Sequence, residues 1–349
     1  IVFNEQNYPN FTRLLDLLGV ESQVTRMGFS VRSEKLALEY SGESLRGLFG
    51  HLRNFTDPAH WKMFRDILRF HKIAESSNPG SATVNEFITS HKLGDRFRDY
   101  FLLPLGSALW SCSTAKFGEF PMEFVNDFLS NHQMLQASGR PVWRVLKNGS
   151  RSYVEEIVDQ LGPRLQLNSP VQKIIREKEG VRLRFPDGTS QVFDEVILAC
   201  HADQSLRLID SPTSDEVALL EAFPYQNNLV SLHSDDSFLP RRKSARASWN
   251  AYLPEEGSEE AVVTYDMNIL QSLPTDEPFC VSLNQEKMIP TDSLHGSYDF
   301  SHPTYHAGRK EAQSRHTLFI RNRGISLCGA YWGFGFHEDG LTSGLRVCE

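Results

Sequence analysis

The start of the chain shows two hydrophobic patterns, one typical of a helix and one typical of strands. In "NYPNFTRLLDLLGV" (residues 7–20), leucines and a phenylalanine recur at helical spacing. Pro9 lies near the predicted first turn, where a missing N–H donor is tolerated, and Gly19 follows as a helix-ending residue. The next segment, "FSVRSEKLALEYSG" (29–42), alternates apolar and polar residues and predicts a pair of strands.

A long helix is predicted in "DPAHWKMFRDILRFHKIAE" (57–75). Asp57 is a suitable N-cap, and Pro58 follows it in the first turn. Apolar residues at helical spacing are expected to form the face that packs on the core: Trp61, Phe64, Ile67 or Leu68, and Phe70 or His71.

More helices are predicted before Leu135. "TVNEF" has a capping box, with Thr83 and Glu86 at the required spacing. The helix in "DRFRDYFLLPLGSALW" is expected to end near Pro104, because proline disfavours helical geometry at the residue before it. Another helix is expected to begin at Pro121.

From Val142 onward the pattern favours strands. After a predicted helix in "NGSRSYVEEIVDQLG" (148–162), an alternating stretch contains Asp187-Gly188, a strong hairpin signal. "DEVILACHA" (194–202) is a continuous apolar run and predicts a strand buried on both faces. Further strands are predicted in "QNNLVSLHSD", "ARASWNAYL", "AVVTYDM" and "PFCVSLN", a helix in "YHAGRKEAQSRHTL", and a last strand in "GISLCGAYW".

Helical, β-rich and mixed segments alternate along the 349 residues. The predicted fold class is therefore α/β, in two domains between which the chain crosses more than once. The net charge of −8 argues against a nucleic-acid-binding protein, whose binding surface is basic. No apolar run is long enough for a transmembrane segment, and no secretory leader opens the chain. The five cysteines form no Cys-x-x-Cys pair, which favours a reducing, cytoplasmic compartment over a disulfide framework or a zinc site.

The closing stretch "CGAYWGFGFHEDGLTSGLRVCE" (328–349) concentrates glycines and aromatic residues just before a predicted helix. Gly333 and Gly335 leave the backbone bare, and the helix that follows would present free N–H groups around Asp339, Gly340 and Leu341. One interpretation is a ligand against this helix N-terminus. The other is a buried glycine turn whose acidic residues complement the helix dipole.

Three stretches, in this order, resemble the flavin-containing amine oxidase superfamily, which includes monoamine oxidases and phytoene-desaturase-like enzymes. They are residues 1–20, "VLKNGSRSYVEEIVDQLG…DEVILACHA" (145–202), and the closing stretch. More narrowly, "NHQMLQASGRPVWRVLKNGSRSYV" (131–154) and "CGAYWGFGFHEDGLTSG" are similar to a subgroup of predicted FAD-binding proteins. Members of that subgroup are associated with cyclopropane fatty-acid synthases, which the resemblance implies as a possible partner.

The resemblance implies a fold and its boundaries. An FAD-binding Rossmann-like domain would be interleaved with an α+β substrate domain. The family's Gly-x-Gly-x-x-Gly fingerprint is not found, so the Rossmann-like domain is expected to be partial, lacking its N-terminal βαβ unit, and the Ile1 start favours a processed or fragmentary chain. The expected FAD-binding segments are 1–30, 145–210 and 312–349, and the expected substrate-domain segments are 31–144 (helical) and 211–311 (β-rich).

The resemblance also implies FAD as cofactor and a set of residues that bind it. Val171 matches a valine whose backbone holds the adenine, and Glu338 matches an acidic residue that bonds ribityl hydroxyls. Plain core packing and a solvated acid are the respective alternatives. The remaining expected cofactor contacts are Val2, Phe3, Asn4, Gly329, Tyr331, Trp332, Gly333, Gly335, Phe336, Asp339, Gly340 and Leu341, where core packing is the alternative for the aromatic residues.

The function expected from this resemblance is FAD-dependent transfer of hydride from a hydrophobic substrate, for which a fatty-acyl chain is one candidate. Amine oxidation and a non-catalytic module beside a lipid-modifying enzyme are the alternatives. No catalytic base or metal site is identified. Weaker expectations are a proton relay at His337, substrate contacts at Trp249, Asn250 and Tyr265, and a solvated basic loop, "RRKSAR" (241–246), that could instead attract an acyl carboxylate or membrane phosphates.

Overall fold

A computed structural model describes residues 1–49, 52–76, 79–135, 141–254 and 263–349. Residues 136–140 of the stretch resembling the narrower subgroup, and residues 261–262 of one predicted strand, lie outside the described residues. The chain forms two units, each built from three separate segments. Unit 1 comprises Ile1–Asn4, Ser22–Gly149 and Gln226–His302, and unit 2 comprises Glu5–Glu21, Ser150–Tyr225 and Pro303–Glu349. The assignment of FAD-binding and substrate-binding segments stays a prediction.

The strands of the described chain follow one another in this order: β1 (Val2–Phe3), β2 (Ser22–Val24), β3 (Phe29–Ser33), β4 (Leu38–Ser41), β5 (Arg144–Leu146), β6 (Lys173–Glu177), β7 (Gly180–Arg184), β8 (Ser190–Phe193), β9 (Val196–Leu198), β10 (Tyr225–His233), β11 (Trp249–Leu253), β12 (Val263–Asp266), β13 (Cys280–Leu283), β14 (Leu294–Pro303) and β15 (Ile325–Leu327).

The α-helices of the same residues are α1 (Pro9–Leu18), α2 (Leu45–Phe49), α3 (Leu52–Thr56), α4 (Pro58–Ser76), α5 (Val84–Ser90), α6 (Asp95–Phe97), α7 (Leu103–Trp110), α8 (Thr114–Gly118), α9 (Met122–Asn131), α10 (Arg151–Leu161), α11 (Ala202–Leu208), α12 (Ser214–Glu221), α13 (Met267–Gln271), α14 (Arg309–Ser314) and α15 (His337–Cys348). None of the described helices is both long and apolar enough to cross a bilayer.

Unit 1 is built on a seven-stranded sheet in the order β14-β10-β13-β12-β11-β3-β4, beside a small sheet β1-β5-β2. One face of the large sheet carries apolar residues such as Val263 and Leu283, which pack with Ala108 of α7. The other face carries a row of directly opposite, buried polar residues: Ser231, Ser282, Thr264, Asn250, Ser30 and Ser41. Because a slip of one residue would move this row onto the apolar face, the row fixes the register of the sheet.

Two predictions for the helices of unit 1 are wrong. The helix of residues 95–110 does not end near Pro104, because a π-helical segment, Arg98–Leu102, joins α6 to α7 and Pro104 falls in the first turn of α7. In α4, Ile67 and Phe70 are buried as expected, but Trp61, which was predicted on the same face, is 40% exposed. The face of α4 that packs inward carries His60, Met63, Asp66, Ile67, Phe70 and Ala74.

The helix bounded by Pro9 and Gly19 is confirmed as α1, and Gly19 has the left-handed backbone (φ 69°) that ends it. The capping box of Thr83 and Glu86 is also confirmed. The strand pair expected in 29–42 forms as β3 and β4.

Unit 2 contains an antiparallel meander, β6-β7-β8, and a parallel pair, β9-β15. The predicted hairpin at Asp187-Gly188 is confirmed, with Gly188 in the left-handed region (φ 85°). The prediction that β9 is buried on both faces is wrong for Ile197, which is 51% exposed. The core of the unit gathers side chains from β6, β7, β9, β15 and the helices between them, including Leu198, Phe223 and Leu327.

We predict opposite effects for alanine at two helical glycines. A Cβ on Gly106 of α7 would lie 2.2 Å from the buried ring of Phe117, whereas a Cβ on Gly344 of α15 meets nothing within 4 Å. Gly106→Ala should therefore lower the free energy of unfolding by about 1–3 kcal/mol through overpacking. Gly344→Ala should raise it by up to about 1 kcal/mol through helix propensity. Urea denaturation measures both, and equal stability of the two variants would contradict this packing.

Candidate functional site

The glycine-rich turn, here called the glycine loop (residues 328–336), begins where β15 ends. The N–H of Cys328 still donates to the Leu198 carbonyl of β9 at 2.9 Å, but Gly329 (φ 153°) turns the chain away. Ala330–Trp332 forms a 3-10 turn, so the prediction that the last strand continues to Trp332 is wrong. The loop thus lies at the carboxyl end of a parallel strand pair, where open α/β sheets bind ligands.

Arg309 and Gln313, on one face of α14, hold the glycine loop from within unit 2. The Arg309 guanidinium donates to the carbonyls of Tyr331 (3.0 Å) and Gly333 (3.3 Å). The Gln313 side-chain amide donates to the same two carbonyls at 2.9 and 2.7 Å. Both oxygens therefore point inward, each accepting from both side chains.

The Arg309 side chain is 2% exposed, yet no described carboxylate forms an ion pair with it. It also donates to the Thr304 carbonyl at 3.1 Å and lies over the Tyr305 ring, 3.7 Å from its centroid. Burial lowers the pKa of Arg309. Carbonyl dipoles, an aromatic face and attraction to the Asp339 carboxylate stabilise this buried cation.

Tyr305 explains the glycine at position 335. Its hydroxyl donates to the Phe334 carbonyl at 2.5 Å. Because the C=O and the next N–H of a peptide point in opposite directions, the N–H of Gly335 points away from Tyr305. Gly335 has φ 96°, and a Cβ there would lie 2.4 Å from the Tyr305 hydroxyl. Only glycine fits this position.

Asp339 explains the glycine at position 333. Its carboxylate accepts from the Phe336 N–H at 2.9 Å, and a Cβ on Gly333 would lie 2.1 Å from the same carboxylate. Burial raises the pKa of Asp339, although amide donors at Phe336 and Phe334 oppose the shift. Contacts inside the protein thus account for both glycines, as the buried-turn interpretation expects.

The free main-chain amides lie earlier in the chain than the sequence suggested, and only Asp339 belongs to both sets. The N–H of Gly340 donates to the Phe336 carbonyl at 3.1 Å, so it belongs to the hydrogen-bond ladder of α15, and helical geometry places Leu341 there too. Among the described residues, no acceptor is found for the amides of Gly335, His337, Glu338 and Asp339. These four N–H groups at the positive end of the helix dipole can receive an anionic group.

Glu338 caps another helix of unit 2. Its carboxylate accepts from the main-chain amides of Asn10 (3.1 Å) and Phe11 (2.9 Å) and from the side-chain amide of Asn10 (2.8 Å). Tyr8 holds the N-cap position of α1, where Ser, Thr, Asp or Asn is usual, and Glu338 supplies the acceptor instead. The contact of Glu338 with ribityl hydroxyls stays a prediction, and the carboxylate already caps α1.

The aromatic residues of the loop divide into buried and half-buried groups. Tyr331 and Trp332 belong to the core of unit 2, and the Trp332 ring stacks on His316 with centroids 4.0 Å apart. This arrangement is the core packing considered as an alternative. Phe336 is half-buried, and the exposed His337 ring lies 5.5 Å from Phe11. Phe336 therefore keeps part of its ring surface outside the core of unit 2.

The other predicted site residues lie in both units. Val171 precedes β6 and packs against the core of unit 2, whereas Val2 and Phe3 form β1 of unit 1, followed by buried Asn4. The predicted substrate residues of unit 1 do not share a face. Trp249 and Tyr265 pack in an edge-to-face pair on the apolar side of the sheet, while Asn250 bonds Ser30 at 2.6 Å in the polar row.

Arg309, Gln313 and Tyr305 are missing from the sequence-based predictions. A signal was present, because Arg309 and Gln313 are four residues apart in a stretch predicted to be helical and therefore share one helix face. Nothing in the sequence indicates that this face points at the loop carbonyls.

Comparison with known proteins gives the family. The sequence model of the family of flavin-containing amine oxidoreductases matches residues 1–233. The chain belongs to this family. No curated protein sequence matched it.

Solved structures of three differently named proteins share the fold. A cyclohexylamine oxidase from Brevibacterium oxydans IH-35A superimposes with a TM-score of 0.66 at 12% identity, over 99% of this chain and 85% of its own. A CLA-producing fatty acid isomerase from P. acnes superimposes with a TM-score of 0.66 at 13% identity, over 100% of this chain and 84% of its own. A reduced UDP-galactopyranose mutase superimposes with a TM-score of 0.63 at 12% identity, over 99% of this chain and 82% of its own. The predicted mixed α/β fold is confirmed over nearly the whole chain, while these identities carry no information on substrate.

We predict that Glu338 stabilises unit 2 by capping α1. Glu338→Ala should lower the free energy of unfolding by about 1–2 kcal/mol, because two first-turn amides lose their acceptor. Glu338→Gln keeps one acceptor oxygen, so its free energy of unfolding should fall by less. Urea denaturation measures both, with Glu179→Ala in an exposed turn as the control. Loss in the control equal to that in Glu338→Ala would contradict the capping role.

We predict a pH-dependent contribution from Asp339. Its pKa is raised in the folded state, so above the unfolded value of about 3.9 the unfolded chain releases this proton first. The stability of the wild type relative to Asp339→Asn should therefore fall as pH rises from about 4 through the raised pKa, then level off. Denaturation curves of both proteins at a series of pH values give this difference, and a difference independent of pH would refute the prediction.

Proposed function

We propose that this chain is an FAD-dependent oxidoreductase whose glycine loop and α15 N-terminus face the flavin ring. The observation that carries the proposal is the set of four main-chain amides, Gly335 and 337–339, that find no acceptor in the described protein. They occur in a member of a flavin-containing family, in the stretch that resembles its C-terminal flavin motif.

The donor set fits the electron-accepting edge of a flavin. FAD supplies a hydride acceptor when bound, and the charge it gains lies near N1 and O2 of its pyrimidine edge. N–H donors at a helix N-terminus stabilise such charge by up to about 2 kcal/mol in a partly buried site. Carboxylates at this position would repel the negative charge of a reduced flavin. The nearest one, Glu338, instead accepts hydrogen bonds from the first turn of α1.

The residues behind the loop keep these donors oriented. Arg309, Gln313 and Tyr305 draw the loop carbonyls inward, so the Gly335 amide keeps its direction without a bound ligand. Donors oriented in advance need no reorganisation when charge develops, which is the main source of electrostatic stabilisation in enzymes. Phe336 would lie beside the ring, and Val171 would hold the adenine through its backbone.

The remaining cofactor contacts are proposed from the resemblance to the family. Gly329 and Gly333 would let the loop backbone pass close to the cofactor, and Val2, Phe3 and Asn4 would pass near the flavin.

The proposed substrate is hydrophobic, with a fatty-acyl chain as the leading candidate. The resemblance to proteins associated with cyclopropane fatty-acid synthases, a proposed partner, supports this class, and a fatty acid isomerase is among the proteins that share the fold. Amine oxidation is the second candidate, because the chain belongs to a family of flavin-containing amine oxidoreductases. A non-catalytic module beside a lipid enzyme is the third, supported by the lack of a Gly-x-Gly-x-x-Gly fingerprint in these residues.

We predict that Gly335→Ala weakens FAD binding by the full-length protein about tenfold or more. The methyl group would collide with Tyr305 and turn the amide away, which costs at least about 1.4 kcal/mol. Gly188→Ala is the matched control, since Gly188 has a similar φ (85°) with nothing near its missing Cβ. Titration of the apoprotein with FAD, followed by flavin fluorescence, gives the affinities.

Failure of the wild-type protein to bind FAD would overturn the cofactor proposal, and equal losses in the two glycine variants would overturn the role of the loop. The substrate class is tested separately. Flavin bleaching without oxygen by unsaturated fatty acids, and not by alkyl amines, supports the acyl substrate, and the reverse result supports amine oxidation.

A further inference from the structure

Helices α2, α3 and α4 of unit 1 together present large apolar side chains to solvent. Leu45 of α2 is 67% exposed and Phe55 of α3 is 57% exposed. Trp61 and Leu68 of α4 are 40% and 49% exposed and lie seven residues apart, on one side of the helix. These four residues, with Phe49 and Phe64 between them, are here called the aromatic face.

The aromatic face is a formed surface with internal contacts. The Phe49 ring stacks on Trp61 with centroids 4.3 Å apart, and Phe64 meets Phe49 edge-on at 5.4 Å. The Trp61 indole N–H donates to the Phe55 carbonyl at 2.7 Å, joining α3 to α4. These contacts fix the rings, so a partner would meet a preformed apolar surface.

Basic side chains surround the aromatic face. Arg65 and Lys72 lie on the same side of α4 as Trp61 and Leu68, and Arg46 follows Leu45 on α2. Lys243, in a 3-10 turn (Lys243–Ala245) that packs against α2, adds a further cation, with exposed Arg242 before it. In the described chain none of these five cations forms an ion pair.

Most neighbouring carboxylates are already neutralised; among the described residues the exception is exposed Glu75, near the end of α4. Asp66 of α4 is buried and pairs with Lys62 and Arg69, and Asp57 pairs with Arg96. In the basic loop 241–246, two other arginines have acidic partners, Arg241 with Glu34 and Arg246 with Asp236. The five cations around the aromatic face therefore remain available for an anionic surface, although the net charge of the whole chain is −8.

We propose that the aromatic face docks on the surface of an anionic lipid bilayer. Trp, Phe and Leu on one side of a helix, with Lys and Arg at the edges, is the composition of segments that lie in the membrane interface. The rings would enter the headgroup region while the cations meet lipid phosphates. This proposal concerns attachment to a surface and is independent of the proposed cofactor and substrate.

The test is partitioning of the full-length protein onto vesicles, measured by co-sedimentation. We expect binding to phosphatidylcholine vesicles that contain phosphatidylserine, and much weaker binding to phosphatidylcholine alone or at high salt. Arg65→Gln with Lys72→Gln should weaken binding about twenty-five-fold, since each cation near an anionic surface contributes about fivefold. Phe55→Ser with Leu68→Ser should weaken it at least about tenfold, through lost apolar burial.

Matched variants elsewhere on the surface separate the face from general charge and hydropathy. Leu17→Ser with Leu318→Ser removes leucines that are 72% and 61% exposed, and Lys178→Gln with Lys287→Gln removes two exposed cations. Both controls should bind like the wild type. Circular dichroism melting confirms that each variant is folded.

Absence of binding to anionic vesicles would overturn the proposal, and so would equal losses in the test and control variants. A concentration-dependent dimer in analytical ultracentrifugation that is lost in Phe55→Ser with Leu68→Ser would also overturn it, by identifying a second copy of the chain as the occupant of the face.

Discussion

The buried guanidinium of Arg309 is the interaction on which the candidate site depends. A cation out of water must be compensated, and here the compensation comes from the carbonyls of Thr304, Tyr331 and Gly333 and from the ring of Tyr305. Carbonyls recruited in this way point inward, and the peptide geometry then sets the direction of the amides that follow. A carboxylate partner for Arg309 would have satisfied the charge without fixing the backbone of the loop.

The glycines of the loop show why a glycine cluster is ambiguous in a sequence. Gly333 is required because the Asp339 carboxylate occupies the space of its Cβ, and Gly335 because the Tyr305 hydroxyl does. Both reasons are internal, so the buried-turn interpretation explains the glycines, while the free amides at 335 and 337–339 provide the chemistry that the ligand interpretation needs. The two interpretations are compatible, because the contacts that build the turn also orient the amides.

Unit 1 uses polarity differently on its two kinds of surface. Inside the sheet, the buried row that includes Ser282, Thr264 and Asn250 specifies strand register, and the polar groups bond one another. On the helical surface, the aromatic face places apolar rings in solvent with cations around them. The first arrangement satisfies its polar groups within the fold, whereas the second leaves apolar area and charge that only a partner can cover.

The sequence by itself determined the elements whose signals are local. The Pro9–Gly19 helix, the Thr83 capping box and the Asp187-Gly188 hairpin form as predicted, because dihedral preferences and caps act within a few residues. The order of motifs was also enough to indicate the flavin amine oxidoreductase family.

Tertiary structure decided everything that depends on which distant groups meet. It placed Glu338 at the N-terminus of α1, 328 positions from Asn10, and buried Arg309 behind the loop. Packing also leaves Trp61 of α4 facing solvent. A π-helical segment lets the helix continue past Pro104. Periodicity names the apolar residues of a helix, but the contacts made after folding choose the side that is buried, because burial depends on the area a neighbour can cover.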